Sequence, residues 1–92
     1  MERDEIRGVL KKIFEDETGE PLTDLSDNVV LAEDFDLDSV DMVGLIMQVE
    51  RHFRVRLTYD DLVDVTTAGA LIDLVQTKVA AAEAAKGDTA AA

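Results

Sequence analysis

The 92-residue chain fits one small domain, and without cysteine it can form neither a disulfide nor a cysteine-based metal site. Twenty-one acids against nine bases give a formal net charge of −12, which disfavours nucleic acid and anionic membranes, because phosphate binding needs a basic face. Such a surface either serves solubility alone or favours partners with basic patches.

The charged start, Met1-Glu2-Arg3-Asp4-Glu5, lacks the apolar core of a signal peptide. No apolar run approaches the ~20 residues needed to cross a bilayer. The expected location is the cytoplasm, and the lack of cysteine fits a reducing compartment.

A first helix is expected from about Arg3 to Glu17. Ile6, Val9, Leu10, Ile13 and Phe14 recur at helical spacing on one face. Thr18-Gly19-Glu20-Pro21 ends it, since Gly can close a helix and Pro cannot continue one. A long connection follows to about Leu37, and its length requires it to be packed down. Leu25, Val29, Val30, Leu31, Phe35 and Leu37 supply apolar anchors. Val29-Val30-Leu31 could be a short strand, but no partner strand is evident, so a packed loop is expected.

The second helix should begin at Asp38 or Ser39 and end near Phe53. At 100° per residue, Met42, Leu45, Ile46, Val49 and Phe53 form one stripe, and Val40, Val43 and Met47 a second about 140° away. The helix is then either buried on two sides or partly open to a partner. Arg54 to Leu57 is a linker. Tyr59 to Val63 can form one turn capped by Thr58, with Asp60 and Asp61 at the favourable end. Thr66 or Thr67 caps a last helix whose apolar face is Ala68, Leu71, Ile72, Val75 and Val79. The Ala-rich end should fray into a disordered tail. The chain therefore divides into a helical domain over 1–80 and a tail over 81–92.

Ser39 is the residue of chemical interest. It stands at a loop-to-helix junction in Asp34-Phe35-Asp36-Leu37-Asp38-Ser39-Val40-Asp41. Asp38 and Ser39 are both good N-caps, and most such pairs are only caps. Asp34, Asp36 and Asp38 have the alternating spacing that opens a calcium loop. However, Ser39 and Leu45 stand where that loop needs Gly and a bidentate Glu, so no metal site is expected. Nucleophilic catalysis needs a positioned base. His52, the only histidine, lies on the same helix about 20 Å away. With no glycine-rich phosphate loop either, the chain does not read as an enzyme.

The stretch around Ser39 resembles the attachment site of acyl carrier proteins, Asp-Leu-Gly-Leu-Asp-Ser-Leu followed by an acid and an apolar helix. The resemblance continues through Val43, Leu45, Ile46, Met47 and Glu50 to Phe53, and through Asp60-Asp61 and Val65-Thr66-Thr67. It covers roughly residues 5 to 79. It implies an all-α four-helix bundle with three longer helices, one short helix and a long first loop. It also implies a non-catalytic, monomeric carrier bearing covalent 4′-phosphopantetheine on Ser39, with Asp38 as the motif acid at the helix start. A phosphopantetheinyl transferase would attach the group. The prosthetic thiol would then carry an acyl chain as a thioester for a ketosynthase, acyltransferase or other processing enzyme with a basic docking patch. Val40, Val43 and Met47, ringed by Asp38, Asp41, Glu50, Asp60 and Asp61, become the expected partner surface.

The departures from the pattern are Asp36 for Gly, Val40 for Leu, Gly44 at an often acidic position, and Arg51 and His52 where fatty-acid carriers are usually acidic. Asp tolerates left-handed geometry better than most residues. The altered charges favour polyketide or specialised fatty-acid-like biosynthesis. A carrier of aminoacyl groups, and an unprimed acidic adaptor binding a basic partner, are the alternatives.

Overall fold

In a computed structural model of the protein, residues 2–22 and 25–91 are described, with side chains to residue 84. Five helical segments follow in order: α1 (Arg3–Thr18), α2 (Leu31–Asp34), α3 (Ser39–Phe53), α4 (Tyr59–Leu62) and α5 (Ala68–Ala91). The bundle is all-α, as expected, with α1, α3 and α5 as the long helices.

The apolar stripes meet in a single core. Ile6, Leu10, Ile13 and Phe14 of α1 are buried against Leu45 and Val49 of α3 and Ala68, Leu71, Ile72, Val75 and Val79 of α5. Gly19 closes α1 at φ 76°, a left-handed conformation that glycine adopts without a Cβ penalty, and its N–H donates to the Glu15 carbonyl. Thr67, rather than Thr66, caps α5: its hydroxyl accepts from the Ala70 N–H at 3.2 Å.

The long first connection is packed down, and it contains a helical turn that the sequence reading lacked. The residues expected to form only packed loop enter α2 at Leu31, and Val30 makes an isolated bridge with Thr67. Three backbone bonds tie the connection to the start of α5: Leu31 N–H to Thr66 O and Ala68 N–H to Val29 O, both 2.9 Å, and Gly69 N–H to Asp27 O at 3.1 Å. Asp34 reaches back to accept from the Val30 N–H at 2.7 Å. Phe35 meets Phe14 edge-on at 5.2 Å. These contacts hold the loop directly upstream of Ser39 against the core.

A polar clasp fixes the loop's first half. Asp27 pairs with Arg3 at 3.0 Å and Arg7 at 2.7 Å, while Arg7 also donates to the Leu25 carbonyl at 2.6 Å. Arg3 bridges onward to Asp73 of α5. The hydrogen bond and charge of Arg7, then the charge of Arg3, hold the Asp27 carboxyl below its usual range.

The last helix runs on to Ala91; among the residues with described side chains, Val79 is the last buried one and residues 80–84 are exposed.

Candidate functional site

The site is built by the start of α3. Asp38 is the N-cap, and its Oδ1 accepts the Asp41 N–H at 2.8 Å while Asp41 Oδ2 accepts the Asp38 N–H at 3.3 Å. This reciprocal box satisfies backbone donors that the helix itself leaves open. It also resolves which residue caps. Ser39 is the first helical residue, it is exposed, and its hydroxyl has no hydrogen-bond partner among the described residues. Asp36, three residues upstream, takes φ 52°. The left-handed turn that the resemblance assigns to Gly is thus made by Asp, and the chain still swings into the helix.

The second stripe of α3 is open. Val40, Val43 and Met47 are 77%, 59% and 52% exposed, which excludes a helix buried on both sides. The other exposed large apolar side chains among the described residues, Tyr59 and Val63, stand on and just after α4. Sequence reasoning did not assign those two. The signal for them is an apolar residue at each end of a one-turn helix too short to bury both.

One flank of the exposed ridge falls into an apolar groove of about 280 Å³. Val43, Ile46 and Met47 form one wall, with Leu31 and Leu62 opposite and Glu50 at the edge. Fully burying a side chain of this size is worth roughly 1.5–3 kcal/mol, so an open patch is a surface where a partner or an apolar chain gains by binding.

The expected acids divide by what already holds them. Asp38 and Asp41 form the capping box, and Asp38 stays exposed. Glu50 is half-buried and accepts the Leu57 N–H at 2.9 Å, which fastens the linker after α3. Asp61 accepts the Thr58 N–H at 3.0 Å and pairs with Lys78 of α5 at 2.9 Å. The Thr58 N–H, Lys78 and the Thr58 hydroxyl lower its carboxyl to about 2. Of the two α4 acids, Asp60 is exposed and Asp61 half-buried. The structure therefore brings Val43, Met47 and Glu50 to one groove and gives Asp61 an internal role beside any docking role. No group of three or more metal-ligating side chains forms among the described residues, Asp34, Asp36 and Asp38 included.

Residues 8–75 match the family model described as the phosphopantetheine attachment site. This chain belongs to that family. It is a carrier of the acyl carrier protein type, and the covalent group of the family is 4′-phosphopantetheine. Carriers of this type are non-catalytic. The carrier is 29% identical over 77 residues to an acyl carrier protein of Thermotoga maritima, covering 84% of this chain and 95% of that one. It is 28% identical over 74 residues to a meromycolate extension acyl carrier protein of Mycolicibacterium smegmatis, covering 80% and 75%. A crystal structure of a Thermotoga maritima acyl carrier protein superposes with a TM-score of 0.75 at 25% identity, over 86% of this chain and 92% of that one. No helix among the described residues is long and apolar enough to cross a membrane.

The local geometry fits the prosthetic group. Attachment needs a hydroxyl that is accessible and not already engaged, and Ser39 is both. The start of α3 also offers a favourable field to a phosphodiester, which Asp38 and Asp41 partly oppose.

Proposed function

We infer that this carrier holds acyl intermediates on 4′-phosphopantetheine attached to Ser39, in a cytoplasmic polyketide or specialised fatty-acid-like pathway. The observation that carries the reading is the division of labour at the head of α3: Asp38 and Asp41 make the cap, so the exposed Ser39 hydroxyl is left for a phosphopantetheinyl transferase. When bound, the group supplies a thiol that carries the acyl chain as a thioester. The protein's own residues position and present it. The clasped loop and the capping box fix where the arm leaves the surface. Val40, Val43 and Met47 give partners an apolar seat, and Met47 adapts to several of them.

The partners are the priming transferase and a ketosynthase, acyltransferase or other processing enzyme whose basic residues meet Asp38, Asp41 and Asp60. Such contacts are transient and salt-sensitive. The specialised pathway is supported by Gly44, Arg51 and His52 at positions where fatty-acid carriers are usually acidic, and by the similarity to a meromycolate extension carrier. Incubation with coenzyme A and a broad-specificity phosphopantetheinyl transferase tests the reading. Intact mass should rise by one phosphopantetheine in the wild-type protein and stay unchanged in Ser39→Ala. A folded wild-type protein that gains nothing contradicts it.

A further inference from the structure

The ridge of α3 has a second flank, unlike the first. Between α1 and α3 lies a cleft of about 490 Å³ whose walls include Val9, Ile13, Gln48 and three basic side chains, Lys12, Arg51 and His52. Ile13 is buried and Val9 half-buried, so the floor is apolar. Lys12, Arg51 and His52 are exposed at the rim.

The charge of this cleft runs against the rest of the molecule. The net charge is −12, and Arg3, Arg7 and Lys78 are held by acids in the structure. Lys12, Arg51, Arg54 and Arg56 make no ion pair with any described residue. Two of those four rim the cleft, and the other two follow on the linker after α3. Among the described residues the only acid of the lining is Asp16, one turn from Lys12. Nearby Glu17 is occupied by the Gln48 amide, which donates to it at 2.6 Å. Cations left without partners beside an apolar floor have the complementary form of an acidic, amphipathic segment.

We propose that the α1–α3 cleft is a second docking surface, which takes an acidic amphipathic helix of a partner protein. The partner's apolar residues seat on Val9 and Ile13, and its carboxylates meet Lys12 and Arg51. On the α3 wheel, Gln48, Arg51 and His52 lie on the opposite side of the Val40–Val43–Met47 ridge from Ile46 and Glu50. A partner in the cleft therefore leaves the apolar groove uncovered, and the surface works whether or not Ser39 is modified.

The test is an NMR titration of the full chain with two synthetic helical peptides of equal length, one with Leu at i, i+4 spacing among Glu residues and the other with the same Leu pattern among Lys residues. The Glu peptide should shift the amides around Lys12, Ile13, Gln48 and Arg51. The Lys peptide should shift the acidic end of α3 and α4 instead. The double variant Lys12→Glu/Arg51→Glu, both at exposed positions, should weaken the Glu peptide by at least about tenfold. Raising salt from low to physiological concentration should weaken it in the wild type. Ser39→Ala should bind the Glu peptide as the wild type does, so failure at Ser39 and failure at the cleft read out separately. Shifts spread over the whole surface, or an unchanged affinity in the double variant, overturn the proposal. The same amides moving with protein concentration alone assign the cleft to a second copy and also overturn it. So does binding of anionic phosphatidylglycerol vesicles with no response to the Glu peptide.

Discussion

Whether Ser39 is a cap or a free hydroxyl can be decided by stability alone, with three substitutions at the head of α3. Asp38→Ala removes the acceptor that takes the Asp41 N–H at 2.8 Å. Loss of such a cap costs about 1 kcal/mol. It also removes one negative charge from a chain of net charge −12, which acts in the opposite direction. Two unit charges 4 Å apart in water repel by only about 1 kcal/mol, and salt reduces that further. Asp38→Asn separates the two effects, since it keeps the acceptor and drops the charge. It gives up some helix-dipole stabilisation and relieves some repulsion, each below about 1 kcal/mol. The expected order is Asp38→Ala lower by about 1 kcal/mol, with Asp38→Asn and Ser39→Ala within about 0.5 kcal/mol of wild type. Urea unfolding followed by far-ultraviolet circular dichroism measures this. With a slope of about 1 kcal/mol per M, the Asp38→Ala midpoint falls by roughly 1 M. If Ser39→Ala falls as far as Asp38→Ala, the serine is the cap and the assignment of roles at the helix start is wrong.

Other consequences follow from packing and charge. Gly44→Ala should stabilise by about 0.5 kcal/mol, because about 1 kcal/mol of helix propensity exceeds the cost of shifting the flexible Glu17 carboxylate beside it. Gly69→Ala should destabilise by about 1–3 kcal/mol, because the added Cβ falls 2.8 Å from Asp27 Cβ and 3.1 Å from its backbone oxygen; thermal melts that rank the two alike contradict this. Leu71→Ala should cost about 2–5 kcal/mol, whereas Val43→Asp, at a position 59% exposed, should leave the melting temperature nearly unchanged and lower partner turnover. The Asp61 carboxyl is lowered from 3.8 to about 2, so its contribution is complete above about pH 4 and is lost as pH falls through about 2. Lys78→Met should therefore be less stable than wild type at pH 5, and the gap should close towards pH 2; a gap independent of pH refutes the pairing.

The local signals in the chain were enough for the long helices. The face of α1, both stripes of α3, the Thr58 cap and the buried face of α5 are each written at helical spacing within one segment. The left-handed Asp36 was also legible, because its position in the motif demanded that geometry and Asp tolerates it. What escaped reading depends on residues far apart in the chain. The α2 turn is four residues long, too short for a periodicity, and is held by bonds to Thr66 and from Ala68. The Asp27 clasp needs α1, the first loop and α5 together. Glu50 and Asp61 read as surface acids, yet Glu50 accepts the Leu57 N–H across the end of α3, and Asp61, beyond its local cap with Thr58, pairs with Lys78 of α5. The basic cleft joins Lys12 to Arg51 and His52 across a helix–helix contact, where the sequence offered only an unexplained basic pair.

The free hydroxyl at the start of α3 is the proposed attachment point. The chain has two serines, Ser26 and Ser39, each next to an aspartate. Priming with coenzyme A and a phosphopantetheinyl transferase, followed by proteolysis and fragmentation mass spectrometry, locates the modification directly. One phosphopantetheine is expected, on the peptide containing Ser39 and on no other. Modification at Ser26, or a folded protein left unmodified at both serines, contradicts it.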